Sequence, residues 1–316
     1  MNQESCGRMT YLVGDIGGTN TRLALAGPEG VHQETILRAR NDDFDSFDAV
    51  LAHFLATQKT GHLDGICIAI AGPVQAGEGS LTNRDWALSA AGFGVQSGAA
   101  RAELINDLAA LGYALPRFTP EHIFGTRVAP TNGQSLVTGL GTGFNVSLTK
   151  QTRHGDTLVI EAELGHAEVP HSIGQLMQDA LGAEAAPLKT VEDLFCGPGL
   201  ERLHSLLTGA TLDGGSIIAA YEANDEAATV TVELFTKALA YLTRALIHQY
   251  LPRDGIVFAG SAARGVLRSR ALPLFVETLD SEGPGIVAPA TIPLSVITDD
   301  AAALQGCLQH LVQTAR

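Results

Sequence analysis

Lysine is scarce in this 316-residue chain, and the overall charge is strongly negative. Twenty Lys and Arg residues stand against 34 Asp and Glu residues, so the net charge at neutral pH is −14. A protein that binds nucleic acid needs a basic face to neutralise phosphates, and binding to anionic lipid needs a basic face as well. The composition therefore predicts that neither nucleic acid nor a membrane surface is a partner.

Paired cysteines, long apolar runs and the common nucleotide-loop motifs are also absent from the sequence. The four cysteines form no CxxC pair, which disfavours a zinc site or a disulfide framework. No apolar run reaches the roughly 18–20 residues of a membrane span, and the first residues contain no apolar signal core, so we expect a soluble cytoplasmic protein. No lysine follows a glycine, as a Walker A loop requires, and no GxGxxG opens a helix. Any phosphate site must therefore work without a P-loop lysine.

What the sequence does contain is abundant glycine and a repeated pattern of short strands. Residues 65–71 and 255–259 are short, wholly apolar runs, which are typical of strands buried on both faces of a sheet. In each half of the chain, three strand-like segments precede such a run and a helical pattern follows it. This predicts an α/β protein made of two similar halves, with the boundary near residues 112–120.

The hydrophobic periodicity also predicts individual elements. Strands are expected at residues 11–14, 22–26, 33–38, 65–71, 102–105, 135–138, 143–149, 157–161, 255–259 and 292–298. Helices are expected at residues 44–57 with Asp45 as the N-cap, at 108–114, 223–251 and 301–314, and after Gly260.

Two glycine-rich turns, each between two predicted strands, are candidates for binding phosphate. Adjacent glycines allow backbone N–H groups to turn toward an anion, and a threonine in each turn adds a hydroxyl donor. Asp15 is a candidate ligand of Mg²⁺, directly or through water. Each turn alone is equally consistent with an ordinary hairpin, but their corresponding positions in the two halves favour joint binding of one polyphosphate. The first turn is Gly14, Asp15, Ile16, Gly17, Gly18, Thr19 and Asn20, and the second is residues 139–143, with Gly141, Thr142 and Gly143 at its tip.

These segments, together with four others, resemble the bacterial ATP-dependent glucokinases of the sugar kinase, heat-shock and actin superfamily. The resemblance covers about residues 10–310, and the zinc-binding and DNA-binding elements of the repressor branch are absent. The matching segments are DIGGTNTRLAL (15–25), LINDLAALGYAL (104–115), GLGTGFN (139–145), ELGH (163–166), CGPGL (196–200) and FAGSAARG (258–265).

The resemblance implies a two-lobed actin-like ATPase fold of the ribonuclease H type, with duplicated βββαβαβα units around a central cleft. Residues 1–113 and 299–316 would form the smaller lobe, and residues 114–298 the larger one. It also implies ATP and Mg²⁺ as cofactors, D-glucose as the substrate and a homodimer as the assembly.

Asp107 is the candidate catalytic residue. Its position after an apolar strand and before a helix is also typical of a helix N-cap. Within the motif Leu-Ile-Asn-Asp, however, Asp107 resembles the base that accepts the proton of the sugar 6-hydroxyl. The neighbouring Asn106 would then hydrogen-bond the sugar.

The resemblance places further sugar contacts at Asn83, Glu163, His166 and Glu192. Glu163 and His166 form an E-x-x-H pair, for which metal binding is an alternative, although carboxylate-bridged metal bundles need two such pairs on helices. For Glu192 the alternative is a solvated helix residue. Trp86, close to Asn83, is interpreted as a packing residue.

The resemblance places Gly260 and Ser261 at the adenosine, where small residues allow a close approach of the backbone. The segment 197–199 resembles one beside the nucleotide pocket, and an ordinary helix-initiating turn explains it equally well. Two positions depart from the family pattern. Asn145 replaces a common glycine, which predicts a stiffer second loop or an added side-chain donor. Asp299 and Asp300 replace an Asn-Pro, glycine-rich run.

The sequence therefore predicts an ATP-dependent hexose kinase, with glucose as the expected sugar. A kinase for another hexose or for an amino sugar is the nearest alternative, since residues that bind hydroxyls do not identify the epimer. A sugar or nucleotide sensor without activity is disfavoured by Asp107. An actin-like filament protein or chaperone ATPase is disfavoured by the ELGH segment.

Overall fold

The computed structural model describes residues 9–81, 84–281, 285–299 and 301–315, and within them it forms an α/β protein. The strands are β1 (Tyr11–Ile16), β2 (Asn20–Gly27), β3 (Gly30–Val31), β4 (Leu37–Arg40), β5 (Gly65–Ile70), β6 (Val74–Gln75), β7 (Glu78–Ser80), β8 (Ala87–Ser89), β9 (Ala102–Asn106), β10 (Glu121–Phe124), β11 (Gln134–Leu140), β12 (Phe144–Gln151), β13 (Thr157–Glu161), β14 (Gly255–Ala259) and β15 (Leu294–Val296). The helices are α1 (Phe47–Gln58), α2 (Ala90–Ser97), α3 (Asp107–Ala114), α4 (His171–Leu181), α5 (Val191–Leu194), α6 (Gly197–Thr208), α7 (Gly214–Glu222), α8 (Glu226–Tyr250), α9 (Ser261–Leu267), α10 (Leu272–Asp280) and α11 (Ala302–Thr314). Short 3₁₀ turns lie at Gln33–Thr35, Asn41–Asp43, Leu115–Arg117, Leu164–His166, Gly182–Ala185 and Pro289–Thr291.

The chain divides into two compact units. Unit 1 comprises Met1–Thr119 and Asp299–Arg316, and unit 2 comprises Pro120–Thr298. Residues 114–119, which the sequence analysis assigned to the second lobe, belong to unit 1. The last helix, α11, returns to unit 1, where Leu304, Cys307 and Leu311 are buried in the same cluster as Tyr11 and Val13 of β1.

The sheet of unit 1 has the strand order β3-β2-β1-β5-β9, with β4 also paired to β2. β1 is antiparallel to β2 and parallel to β5, and β5 is parallel to β9. Every residue of β5 is buried, as its wholly apolar sequence predicts. Because β1, β5 and β9 are parallel, their carboxyl ends meet at one edge of the sheet, which is where ligands bind in open α/β sheets.

The sheet of unit 2 repeats this order as β13-β12-β11-β14-β15 and adds β10 beside β15. β11 is antiparallel to β12 and parallel to β14, and β14 is parallel to β15. The five residues of β14 are all buried. The predicted duplication, a three-strand meander followed by two further parallel strands, is therefore confirmed.

Local boundaries differ from the sequence predictions where two neighbouring residues compete for one role. The first helix begins at Phe47, and its N-cap is Ser46, whose side chain accepts a hydrogen bond from Ala49 N, so the assignment of Asp45 was wrong. The expected strand at 33–38 is a 3₁₀ turn followed by β4. The sequence analysis did not predict the three-stranded sheet of β6, β7 and β8 or the helices α2, α4, α7 and α10.

Burial confirms the interpretation of Trp86 as a packing residue and also describes two of the cysteines. Trp86 is 6% exposed and packs in the core beside α1, with the Arg84 guanidinium 5.1 Å from its ring. Cys67 and Cys307 are fully buried, in agreement with their apolar surroundings in the sequence. Within the described ranges, no helix is long and apolar enough to cross a membrane.

Candidate active site

The first glycine loop is the hairpin turn between β1 and β2. The turn closes where Gly17 N donates to Asn20 O at 2.9 Å, and Thr19 and Asn20 are exposed. Gly14 and Ile16 lie inside β1 and are buried, so their predicted contact with nucleotide involves strand residues rather than the loop tip. A side chain at Gly14 would lie 2.6 Å from atoms of Ile68 and Leu23, which explains the glycine by packing alone.

Asn41 supports this loop from inside the protein, and the sequence analysis missed it. Its side chain is fully buried, donates to Gly17 O at 2.8 Å and accepts from the Thr21 hydroxyl at 2.7 Å. Its backbone N–H donates to Thr19 O at 2.9 Å. Burying an amide without hydrogen-bond partners costs free energy. The bonds that satisfy the Asn41 amide therefore also fix the position of the loop. No local pattern identifies Asn41, because its contacts are distant in sequence.

Asp15 lies near the end of β1, directly opposite Arg22 of β2 in the register. Arg22 Nη1 donates to Asp15 Oδ2 at 3.0 Å, and both side chains are largely buried. This ion pair holds the Asp15 carboxylate at the carboxyl edge of the sheet, beside the loop.

Asn106 and Asp107 follow at the same edge, where β9 ends and α3 begins. The N-cap is Asn106, whose Oδ1 accepts from Leu108 N at 2.9 Å and from Ala109 N at 3.3 Å. The N-cap interpretation of Asp107 is therefore wrong, since Asp107 is the first residue of the helix. One Asn106 amide N–H donates to Gly72 O at 3.1 Å, so the second N–H is the group through which a sugar contact is predicted.

The Asp107 carboxyl is strongly perturbed. Its pKa is raised from the ordinary value of 3.8 to about 7, first by burial and second by the negative charge of Asp15. The backbone N–H groups at the start of α3 lower the pKa by a smaller amount. A general base functions best when its pKa is near the working pH, and a perturbed carboxyl at a ligand-binding edge is a functional-site candidate.

The second glycine loop, in unit 2, is the tight turn between β11 and β12. Gly141 N donates to Gly143 O at 3.0 Å, and Thr142 at the tip is exposed. Gly141 O accepts from Gly197 N, the first residue of α6, at 2.8 Å. The segment 197–199 therefore starts a helix and also contacts the loop.

Gly260, the residue between β14 and α9, lies against the same loop. Its φ is +96°, and a Cβ at this position would be 2.2 Å from Leu140 O. Only glycine satisfies both conditions. Ser261, the first residue of α9, is exposed next to it. The predicted nucleotide-binding segments 141–143 and 260–261 are thus adjacent.

Glu192 is directed at the second loop. A Thr190–Asp193 capping box begins α5 and orients this residue, and Glu192 Oε2 accepts from Phe144 N at 2.8 Å. A Cβ at Gly143 would be 2.5 Å from the same oxygen, and one at Gly165 would be 3.3 Å away. The alternative of a solvated helix residue is therefore wrong.

Glu163 and His166 occupy the 3₁₀ turn Leu164–His166, and both are exposed. A Cβ at Gly165 would be 2.2 Å from Phe144 O, so the turn packs closely against the start of β12. Glu163 Oε2 accepts a hydrogen bond from Asn145 Nδ2 at 3.0 Å. Unit 2 therefore brings together the E-x-x-H pair, Glu192 and the second glycine loop.

The acidic groups fit a magnesium ion that arrives with nucleotide. Within the described residues, no group of three or more His, Cys, Asp or Glu side chains has the arrangement of a metal site. Mg²⁺ usually keeps several waters and binds through one or two carboxylates together with substrate phosphates. Asp15, whose charge raises the pKa of Asp107, is a carboxylate of this kind and lies beside the first glycine loop.

Asn83 and Asp300 lie outside the described residues. Asp299 Oδ1 accepts from Ala301 N at 2.8 Å, just before α11. Asn145 was expected to stiffen the second loop or to add a donor there, and its observed partners are instead in the Glu163 turn.

Comparison with known proteins supports the assignment that the geometry suggests. The family model described as glucokinase matches residues 12–314. The chain belongs to the glucokinase family. It is 30% identical to a glucokinase of Caulobacter vibrioides over 96% of each chain, and 27% identical to one of Saccharophagus degradans over 96% of this chain and 98% of the other.

Solved structures agree with the family. A glucokinase from an Antarctic psychrotroph has a TM-score of 0.79 and 28% identity, over 96% of this chain and 98% of that one. A glucokinase of Balamuthia mandrillaris in complex with glucose has a TM-score of 0.74 at 22% identity, over 97% and 94% of the two chains, and this likeness shows the fold alone. The protein is a glucokinase-type sugar kinase with the actin-like ATPase fold, and ATP is the substrate that its family implies.

Proposed function

We propose that this enzyme transfers the γ-phosphoryl group of ATP to the 6-hydroxyl of D-glucose, with Asp107 as the general base. The proton of the hydroxyl passes to the Asp107 carboxylate as the sugar oxygen forms its bond to the γ-phosphorus. The bond from that phosphorus to the bridging oxygen breaks, and ADP leaves with the electron pair. The products are glucose 6-phosphate and ADP.

The position and pKa of Asp107 are the observation that carries this proposal. A carboxyl with a pKa of about 7 is ionised in about half of the molecules at neutral pH. It can therefore accept a proton and release it again at little cost in free energy. The residue lies at the carboxyl edge of the sheet, beside the glycine loop and Asp15. A purely structural carboxyl gains nothing from placement next to a second negative charge, because such a neighbour raises the cost of ionisation.

The proposed sugar contacts are the second amide N–H of Asn106, Asp107 and Asn83, together with Glu163, His166 and Glu192. The last three lie around one 3₁₀ turn. Carboxylates bind vicinal hydroxyls through strong hydrogen bonds, because one partner is charged, and the imidazole ring adds a further hydrogen-bonding group. A site built on such bonds rejects compounds that lack the matching hydroxyls.

The phosphates of ATP are proposed to bind the glycine loops Gly17–Asn20 and Gly141–Gly143. The hydroxyls of Thr19 and Thr142, and the loop N–H groups that are not bonded within the turns, would act as the donors, which would allow an acidic protein with four lysines to bind a polyanion. Asp15 would hold Mg²⁺ through water, and the ion would neutralise phosphate charge when bound. Gly260 and Ser261 are the proposed adenosine contacts, and a homodimer remains the predicted assembly.

The proposal is tested by measuring ADP formation from Mg·ATP with and without a panel of hexoses and amino sugars. We expect ADP release that depends on sugar and is most efficient, by kcat/KM, with glucose. A higher kcat/KM with another hexose or with an amino sugar would replace glucose as the substrate but retain the kinase. Release that ignores sugar would indicate a plain ATPase, and no release with any sugar would indicate a sensor.

A further inference from the structure

Asn145, which follows the second glycine loop and Phe144, makes a set of side-chain hydrogen bonds that a glycine at this position could not make. Its Nδ2 donates to Glu163 Oε2 at 3.0 Å. Its Oδ1 accepts from Leu164 N at 3.1 Å and from Val146 N at 2.8 Å. Both ends of the amide are therefore engaged, and two of the three bonds reach the turn that carries Glu163 and His166.

The bond to Leu164 N supplies a cap that the turn lacks. The N-cap residue of the 3₁₀ turn is Glu163, and its side chain makes no capping bond. The first N–H groups of a helical turn need an acceptor from outside the turn. Asn145 provides that acceptor from the neighbouring strand, so the Glu163 carboxylate is not used as a cap and remains exposed for a ligand.

The bond to Glu163 fixes that carboxylate in an acidic environment. Glu161 lies two residues earlier, and its pKa is raised by burial and by the charge of Glu163. Glu192 lies on the other side of the turn, close to Gly165. Carboxylates repel one another at short range, and a neutral amide donor at residue 145 directs Glu163 without adding charge.

The second glycine loop is held by contacts that do not involve the Asn145 side chain. The loop is held through the Phe144 N bond to Glu192, the Gly197 N bond to Gly141 O and the close approach of Gly260. In the described part of the chain, the side-chain bonds of Asn145 reach Val146, Leu164 and Glu163, and none reaches residues 141–143. A change at residue 145 should therefore act on the turn more than on the loop.

We propose that Asn145 is a positioning residue that caps the 164–166 turn and orients the Glu163 carboxylate toward the sugar hydroxyls. The inference rests on the proposed function, since it assigns Glu163 to the sugar. It adds a determinant of sugar affinity outside the residues that are proposed to contact the sugar. Its effect should appear in the KM for glucose and not in the KM for ATP.

Asn145→Asp is the most informative variant, because it keeps the size and the acceptor but replaces the donor by a negative charge facing Glu163. We expect the KM for glucose to rise at least about tenfold, the size typical of losing a hydrogen bond to a charged group. The KM for ATP should stay within about twofold, because the loop contacts are retained. The increase in glucose KM should diminish at acid pH, where the two carboxylates share a proton. Asn145→Gly should also raise the KM for glucose.

A double variant separates positioning from a general loss of structure. In Asn145→Asp with Glu163→Gln the donor and acceptor are exchanged, so the bond can form again. We expect the glucose KM of the double variant to be about tenfold below the product of the two single effects. Asn224→Asp, an exposed change in the connection from α7 to α8, is the matched control and should leave both KM values unchanged.

The outcomes distinguish this inference from the proposed function. If the wild-type enzyme shows sugar-dependent ADP release and a glucose-induced rise in Tm, but the Asn145 variants match it, the positioning role is wrong and the function stands. Strictly multiplicative single effects, or a rise in the ATP KM with an unchanged glucose KM, would also overturn it. If the wild type neither binds nor phosphorylates any hexose, the proposed function fails and the inference fails with it.

Discussion

The two glycine loops occupy the same place in the same strand order, yet they are stabilised in different ways. In unit 1 the turn is held by a buried polar side chain, Asn41, which bonds Gly17 O and the Thr21 hydroxyl. In unit 2 the turn is held mainly through the backbone, since Gly197 N donates to Gly141 O and Leu140 O would lie 2.2 Å from a Cβ at Gly260, while the Glu192 side chain accepts from the adjacent Phe144 N.

The side chains beside the two loops differ as well. The edge of unit 1 places Asp15 beside Asp107 and raises the pKa of the latter, which suits proton transfer. The edge of unit 2 places Glu192 and the 164–166 turn beside the loop, which suits recognition of a ligand. Duplication therefore explains the two loops, while the side chains around them differ between the two units.

The largest expected effect contrasts proton transfer in unit 1 with sugar recognition in unit 2. Asp107→Asn should lower kcat by about 10³-fold, the usual contribution of a general base, whereas Glu163→Gln should mainly raise the KM for glucose. Steady-state ADP formation measures both values, and the exposed Asp45→Asn is a matched control. An equal loss of kcat in the two variants would remove the distinction between the units.

The next effect tests the backbone packing of the second loop. Gly260→Ala should lower the free energy of unfolding by about 2–4 kcal/mol, because it combines a positive φ with a backbone clash. Gly141→Ala is the matched control, since a Cβ at that position would meet no atom within 4 Å, and it should cost well under half as much. Urea unfolding compares the two. Equal losses would mean that the close approach of Gly260 does not stabilise unit 2.

The corresponding test in unit 1 removes the buried amide. Asn41→Ala should cost about 1–3 kcal/mol of stability, because the groups that it bonds lose their partner, and it should raise the KM for ATP as the loop loses its support. Thermal unfolding and ATP titration measure the two consequences, with the exposed Asp43→Ala as the control. A stable variant with a normal KM for ATP would show that the first glycine loop keeps its conformation without the Asn41 side chain.

The smallest expected effect is a shift in pH dependence. Since a base must be ionised to accept a proton, kcat/KM should rise with pH through about 7 and level off above it. Asp15→Asn also removes the proposed Mg²⁺ ligand and should lower the rate at every pH, so the comparison uses the position of the acid limb alone. Because the variant removes a charge that raises the pKa of Asp107, that limb should move to lower pH, by up to about one unit. Arg38→Gln on the exposed side of β4 should not move it. If the acid limb stays in place, the charge of Asp15 does not raise the pKa of the catalytic base.

Local sequence was sufficient for the features that depend on neighbouring residues. Apolar runs predicted β5 and β14, because a strand buried on both faces needs no polar positions. Glycine and threonine between strands predicted both loops, because turns with exposed N–H groups need little side-chain bulk. The motif around Asp107 identified the candidate base, although not the reason for its pKa.

The tertiary structure decided what depends on residues far apart in the chain. Glu192 bonds a loop residue 48 positions away, and Asn145 bonds Glu163 across 18 positions. The choice of Asn106 over Asp107 as the cap, and the pKa of about 7 that follows from burial beside Asp15, likewise depend on how the strand ends meet. Hydrogen bonds and desolvation act through space, so no pattern along the chain reports them until the sheet brings the partners together.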